Sequence, residues 1–458
     1  MKNTVILLFA KMFEKGIMFL FFILLANSFG KTVLGEFSYY FSIVTILFVL
    51  FDLGGDFYQI KEFSRSENLQ KFNTIFVLKT FIFIFIFIGT YFINSNVYML
   101  LFLISYYLAS ILSIFRSSLY NNGQYILEAK YTILEKFIFL IIIVLNVVTI
   151  ENLLVIYLSF LVSKSVYLFI LVHKFYKLHY ILSMKKLFNL TFAKQYIFGS
   201  WSYILHALLV VIFVQIDIIM LKHMGVSYED IGLYSVALKV YAIAIIFADV
   251  LFKQYYPIVA KYIQNDDATM LKPLILKIQN TNLFFSIYFT LLIILFSKEI
   301  IYFGFGEEFN ESSKMLIMLS IVVIFRFSMY TYTSILSASN LNYIKLYTSI
   351  VCVITNIVLN YVLIPIYGVY GAIVATIITE ILLVVLYKVS SFKIIFTNYL
   401  TMQEISAVFI TIGTVFFFFN TELEISIKLI IFSIILLSLV INYRNIKHKL
   451  TFKKEENV

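Results

Sequence analysis

The sequence has few charged residues for its length. Asp, Glu, Lys and Arg make up 13% of 458 residues, whereas hydrophobic residues make up 62%. A soluble domain carries roughly 25% charged and 45–50% apolar residues. The polar residues of this chain are too few to cover so much apolar surface in water. Lipid must therefore be the solvent for much of the chain, which excludes an ordinary soluble protein.

Cysteine and histidine are also scarce. Cys352 is the only cysteine, so no intramolecular disulfide can form. The five histidines are scattered and show no HExxH or comparable spacing for a metal. The sequence therefore predicts neither a metal site nor a bound cofactor.

The sequence contains long runs of apolar residues. Phe81–Ile88 is continuously apolar, and only Ser433 and Ser438 interrupt the apolar run Leu429–Ile441. Both runs lack the alternation of a membrane-barrel strand. A spanning helix needs about 20 apolar residues, and its backbone satisfies its own hydrogen bonds in lipid. The fold class is predicted to be an all-α integral membrane protein with about 14 transmembrane helices. They are predicted at residues 5–26, 37–58, 72–93, 97–119, 128–149, 152–172, 197–221, 231–254, 276–297, 313–337, 342–364, 368–388, 403–420 and 425–442.

The loops predict the orientation of these helices. With the N-terminus inside, 23 lysines and arginines fall in cytoplasmic segments and 5 in the opposite ones, as the positive-inside rule requires. The asymmetry predicts a multi-pass membrane protein with both termini cytoplasmic. Lys11, Glu14 and Lys15 interrupt the first apolar stretch, which therefore predicts a retained helix rather than a cleaved signal peptide.

A basic segment at residues 173–196 divides the chain. It predicts a six-helix bundle over residues 1–172, a second over 197–390, and two peripheral helices with a basic cytoplasmic tail over 391–458. The segment itself is either an amphipathic helix on the anionic inner leaflet or a solvated linker. Gly35 and Gly232 align in a faint internal repeat, as expected for a transporter built from two parallel halves.

Ionisable residues occur within the first twelve predicted helices, although a charge at the bilayer centre costs at least about 2.5–3.5 kcal/mol. Lys11, Glu14 and Lys15 form one polar stripe. Lys79 lies near the inner interface and is predicted to extend to it. The other members are Asp52, Asp56, Glu135, Lys136, Lys164, Asp217, Lys239, Asp249, Arg326 and Glu380.

These charges predict a cavity that favours an anion. The predicted substrate-binding residues are basic, and arginine can hold a phosphate with two hydrogen bonds: Lys11, Lys15, Lys136, Lys164, Lys239 and Arg326. The acidic residues either bind a proton or sodium ion for coupling or hold the basic residues in place: Glu14, Asp52, Asp217 and Glu380. Structural pairing is the alternative for Glu135 with Lys136 and for Asp249 with Lys253. Lys15, Arg326 and Glu380 lie near mid-depth and cannot easily reach water, which favours a function for them.

Three stretches carry a family resemblance. Their characteristic residues are Gly30, Gly35, Tyr39 and Asp52-Leu53-Gly54; Asp217, Gly232, Tyr234 and Pro257; and Asn356, Asn360, Pro365, Gly368, Gly371-Ala372, Ala375-Thr376 and Glu380. Over about residues 5–390 the chain resembles the polysaccharide-exporter branch of the multidrug/oligosaccharidyl-lipid/polysaccharide (MOP) exporter superfamily, which includes the O-antigen and capsule repeat-unit flippases.

The resemblance implies two six-helix bundles around a central cavity that opens alternately to either side. It implies that the substrate is an undecaprenyl-pyrophosphate-linked oligosaccharide, moved from the cytoplasmic to the outer leaflet. A polysaccharide polymerase and chain-length proteins are the protein partners expected beside membrane lipids, and no nucleic acid is expected. The motif residues mostly maintain the fold, so the predicted site residues rest on their charges alone.

Other functions stay open at this stage. A multidrug or cation antiporter of the same superfamily would favour an acidic or aromatic cavity, and a peptidoglycan-precursor flippase would share the preference for an anion. A membrane polysaccharide polymerase needs catalytic groups on sizeable external loops. The longest external loop here, Ser297–Ser312, lacks such a constellation, so the chain is predicted not to be an enzyme.

Overall fold

The computed structural model describes residues 2–65, 69–177, 188–265, 268–339 and 341–395, together with residues 413–414, 424, 426–428 and 433. Helices account for almost all of these residues, and none of them lies in a strand, which confirms the predicted fold class. Most of the helices predicted at 403–420 and 425–442, and residues 178–187 of the basic linker, lie outside the described residues.

Twelve helices follow one another along the described chain. They are α1 (Lys2–Asp52), α2 (Gly55–Arg65), α3 (Leu69–Ile93), α4 (Val97–Asn121), α5 (Tyr125–Leu145), α6 (Leu153–Lys177), α7 (Leu190–His223), α8 (Tyr228–Gln264), α9 (Ala268–Phe305), α10 (Ser312–Ala338), α11 (Asn342–Tyr367) and α12 (Val369–Ile395). A π-helical turn, Asn146–Ile150, extends α5, and a 3-10 turn, Glu307–Phe309, precedes α10.

Helix α1 contains two membrane crossings. Its apolar part, Phe9–Asp52, has 44 residues, about twice the length of one crossing. Gly30 interrupts it with a φ of 74° and a ψ of 177°. The ring centroids of Phe21 and Phe37 are 5.3 Å apart, whereas a straight helix would separate these residues by about 24 Å. The two halves therefore fold back on each other, as the two predicted helices require.

Eleven described helices are long and apolar enough to cross a membrane. Because α1 crosses twice, they provide the first twelve of the fourteen predicted crossings. The second crossing ends at Asp52 rather than at the predicted residue 58. Leu53, Gly54 and Gly55 have φ angles of 56°, 89° and 58°, and three consecutive left-handed residues cannot continue a right-handed helix.

The chain forms two compact units, Met1–Gly232 and Leu233–Val458. In the first unit, α7 packs against α1 and also contacts α2 and α3. Tyr58, Phe115, Tyr167 and Tyr196 belong to its buried core. The division at Gly232 follows α7, whereas the six-helix bundles predicted from the sequence divide before it. Those bundle boundaries stay a prediction.

Two glycines bring α1 and the start of α8 into backbone contact. A Cβ added to Gly35 would lie 1.8 Å from the carbonyl oxygen of Tyr228, and one added to Gly232 would lie 2.0 Å from that of Lys31. Tyr228 lies one helical turn before Gly232, and Lys31 lies one helical turn before Gly35. Each glycine therefore packs against the backbone one turn before the other glycine. The contact is reciprocal, and it joins the two positions that the internal repeat aligns.

We predict that Gly35→Ala and Gly232→Ala each destabilise the protein by about 1–3 kcal/mol, because the added methyl group must displace the backbone of the facing helix. Thermal unfolding of the purified protein in detergent would measure the effect. Gly89→Ala and Gly304→Ala are matched controls, because an added Cβ at either helical glycine meets nothing within 4 Å. Equal unfolding midpoints for the two pairs of variants would contradict the close crossing.

Candidate functional site

The charges of the first unit form a network between α1, α5 and α6. On α1, the Lys11 Nζ lies 3.5 Å from the Glu14 carboxylate and 3.6 Å from that of Glu128 on α5. Glu14 also contacts the Lys136 Nζ at 3.5 Å. One turn of α1 is thereby joined to two successive regions of α5.

A deeper layer of the network lies between α5 and α6. The Glu135 carboxylate accepts hydrogen bonds from Lys136 at 3.2 Å and from Lys164 at 3.4 Å. All three residues are buried. Arg116 on α4 interacts electrostatically with Glu14 and Glu135. The adjacent Glu135 and Lys136 therefore do form the pair considered from the sequence, within a larger cluster.

Helical spacing explains why these residues meet. Glu128, Thr132, Glu135 and Lys136 are all buried on α5, and their spacing of four, seven and eight residues places them on one face. The same spacing could have identified Glu128 from the sequence, but it stands at the very start of the predicted helix. Arg116 lies near the end of the predicted helix 97–119, where the sequence does not single it out, and α4 continues beyond it to Asn121.

The exposed layer of the network belongs to α1. The side chains of Lys11 and Glu14 are 39% and 28% exposed, whereas Glu128 is fully buried. Lys15 is exposed, and it forms no ion pair within the described part of the chain. With Lys15, five basic side chains accompany three carboxylates. The net positive charge is thus available on α1, at the open edge of the network.

A second ion pair in the first unit joins α1 to α3. The Lys79 Nζ lies 2.7 Å from the Asp52 carboxylate. It also donates hydrogen bonds to the Ser110 carbonyl oxygen at 2.9 Å and to the Ser113 hydroxyl at 2.7 Å. Lys79 is fully buried, so the prediction that it extends to the interface is wrong. Three oxygen partners within the protein replace the water that the ammonium would otherwise seek.

The second unit contains a buried pair of its own. Arg326 on α10 forms an ion pair with Glu380 on α12. Glu380 is fully buried, and the Arg326 side chain is 18% exposed. The guanidinium also donates to the hydroxyl oxygen of Tyr241 on α8. Together with Tyr241, this ion pair connects α8, α10 and α12. Arg326 and Glu380 are the two mid-depth residues that the sequence singles out in this unit.

The remaining predicted site residues lie elsewhere. Asp217 is buried in α7, and Lys239 is partly buried in α8. Asp249 and Lys253 form the ion pair considered from the sequence, at 2.6 Å. No group of three or more His, Cys, Asp and Glu residues that could hold a metal occurs within the described ranges.

A comparison with protein-family models identifies the family. Residues 1–262 match the family model described as "Polysaccharide biosynthesis protein". No curated protein matches the sequence.

Solved structures share the fold at low sequence identity. A structure of the lipid II flippase MurJ in an inward closed conformation superposes with a TM-score of 0.76 and 16% identity, covering 96% of this chain and 99% of MurJ. An inward-facing multidrug resistance MATE transporter gives 0.69 and 11%, covering 83% and 94%. A MOP superfamily transporter from Pyrococcus furiosus gives 0.58 and 10%, covering 85% and 95%.

The family match extends over more than half of the sequence, and the shared fold extends over nearly all of it. The chain therefore belongs to the polysaccharide biosynthesis protein family, a family of transporters within the MOP exporter superfamily.

Proposed function

We propose that this transporter is a flippase for an undecaprenyl-pyrophosphate-linked oligosaccharide repeat unit. It moves the unit from the cytoplasmic to the outer leaflet by alternating access, for O-antigen, capsule or another surface polysaccharide. The observation that carries the proposal is the charged network of α1, α5 and α6, in which Lys15 adds an exposed positive charge without an ion pair in the described chain.

A pyrophosphate needs compensation for its charge when it leaves water. Ammonium groups at an aqueous cavity provide charge-assisted hydrogen bonds, and a lysine at membrane depth is tolerated where it faces such a cavity. Lys11 and Lys15 are the exposed basic residues of the network and are our proposed phosphate contacts. Lys136 and Lys164 are buried against Glu135, and we assign them a positioning role. In the second unit we propose Lys239 and Arg326 as substrate contacts.

Two rival functions occur in the same superfamily. MurJ is named as a lipid II flippase, and a peptidoglycan-precursor lipid would use the same basic site. A multidrug exporter is the other rival, since MATE transporters share the fold. The excess of basic residues favours an anion over a cationic drug. The family match supports the polysaccharide precursor over lipid II. The chain is a transporter rather than an enzyme, which leaves the polymerase alternative without support.

The proposal includes an ion gradient and a location. Asp52 forms an ion pair with Lys79, and Glu380 forms one with Arg326. These pairs favour a charge-balancing role for both carboxylates. Glu14 and Asp217 are then our candidates for binding a coupling proton or sodium ion. We place this multi-pass membrane protein in the bacterial inner membrane with both termini cytoplasmic. A polysaccharide polymerase and chain-length proteins are its proposed partners.

Deleting the gene in a strain without a redundant transporter should trap the lipid-linked oligosaccharide on the inner leaflet. The readout is the surface glycan, together with chemical analysis of the lipid that accumulates. An accumulated lipid carrying the repeat unit supports the polysaccharide role, and accumulated lipid II supports the rival. Surface glycan at the normal level would contradict the flippase.

Lys15→Ala should lower transport roughly tenfold or more, because one charge-assisted hydrogen bond to phosphate contributes about 1.5–3 kcal/mol. Lys15→Arg should retain much of the activity, since it keeps the charge. Lys130→Ala is the matched control: Lys130 is also exposed, on α5. Complementation of the deletion strain at equal protein levels would measure all three. Equal losses for Lys15→Ala and Lys130→Ala would contradict a specific phosphate contact.

Variants of Arg326 and Glu380 can separate function from structural support. Arg326→Met alone should destabilise the protein by about 3–5 kcal/mol, because it leaves Glu380 buried without its cation. The double variant Arg326→Met/Glu380→Met should recover most of that stability. We expect it to fold but not to transport. Thermal unfolding and complementation, measured on the same variants, test this. Transport by the double variant would show that the pair is structural.

A further inference from the structure

Glu14 differs from the other two carboxylates of the network in its exposure. Its side chain is 28% exposed, whereas those of Glu128 and Glu135 are 0% and 8% exposed. Among the three carboxylates, Glu14 is therefore the one that water or a ligand can reach directly.

Glu14 also contacts only lysines that have a second carboxylate. Lys11 keeps Glu128 at 3.6 Å if Glu14 moves away, and Lys136 keeps Glu135 at 3.2 Å. Lys164, by contrast, depends on Glu135 for its ion pair in the described network. Glu14 can thus leave both of its partners without stranding a buried charge, which is the costly event in a low-dielectric interior.

The residues around Glu14 are mostly basic. Lys11 and Lys15 lie on its own helix, and Lys136 on α5. Arg116 and the Tyr106 hydroxyl on α4 interact electrostatically with it. Lys164 on α6 lies behind Glu135. An anion that replaced the Glu14 carboxylate would meet the same cations and would need no new rearrangement of α5 or α6.

We propose that Glu14 is a displaceable internal counter-ion. In the empty site its carboxylate occupies the position that phosphoryl oxygens of the substrate take. When the carboxylate returns to this position, it competes with the phosphate for the lysines and so promotes release of the substrate. The inference rests on the proposed function, because it takes the ligand to be the pyrophosphate of a lipid-linked glycan. It adds the residue that keeps binding reversible in a strongly basic site.

The test is the affinity of the purified full-length protein in nanodiscs for farnesyl pyrophosphate, measured by calorimetry. Glu14→Gln removes the competing charge and should bind roughly tenfold more tightly, with slower dissociation and slower transport in cells. Glu36→Gln is the matched control, since Glu36 is a partly buried carboxylate on the second crossing of α1 and accepts a hydrogen bond from Tyr40. Its affinity should equal that of the unsubstituted protein.

The outcomes separate the two proposals. Equal or weaker binding by Glu14→Gln, with normal binding by the unsubstituted protein, overturns the counter-ion alone. Failure of the unsubstituted protein to bind farnesyl pyrophosphate overturns the proposed function and the inference with it. Equal binding of inorganic pyrophosphate, without the lipid, would assign the site to a free anion and likewise overturn the flippase. A large loss of thermal stability in Glu14→Gln would contradict the redundancy of its ion pairs, and so would overturn the counter-ion.

Discussion

The cost of an ionised side chain away from water governs the interior of this protein. Each buried basic residue of the described networks has an oxygen partner within reach. Lys79 is the clearest case: one carboxylate, one hydroxyl and one backbone carbonyl surround its ammonium. Such arrangements are weak evidence for stability, because desolvation offsets much of the attraction. Their importance is that a cation with a single carboxylate partner, such as Lys164, becomes an uncompensated buried charge if that carboxylate is removed.

The helix crossing at Gly35 and Gly232 depends on a different constraint. Lipid does not drive helices together as water drives apolar surfaces, so close backbone packing supplies much of the association. Small residues permit such packing, and here two glycines each admit the backbone of the other helix. The nearby ion pair of Lys31 with Glu229 joins the same two helices. Charge and shape therefore fix this crossing together.

The sequence predicted the fold class and the approximate positions of the first twelve crossings, because apolar run length depends on the thickness of a bilayer. It also predicted the α1 stripe, because residues three and four apart share a helix face. It could not predict that Lys79 turns inward, since that depends on Asp52 and Ser113 from other helices. Glu128 and Arg116 were missed for a related reason. Both lie near helix ends, where hydropathy places the boundary poorly, and only tertiary contact shows that they belong to the network.

In the proposed flippase, the network of α1, α5 and α6 has to meet two opposing requirements. A neutral cluster would be cheap to bury but would attract no anion, whereas an uncompensated cluster of lysines would bind an anion and oppose folding. The structure separates the two tasks by depth. Buried Glu128 and Glu135 compensate the lysines beneath the surface, and Lys15 adds an exposed positive charge at the edge. In our proposal, Glu14 is the partly exposed carboxylate that adjusts the charge a ligand meets without disturbing the buried pairs. An anion carrier needs this balance, because a site that only attracted phosphate would never release it.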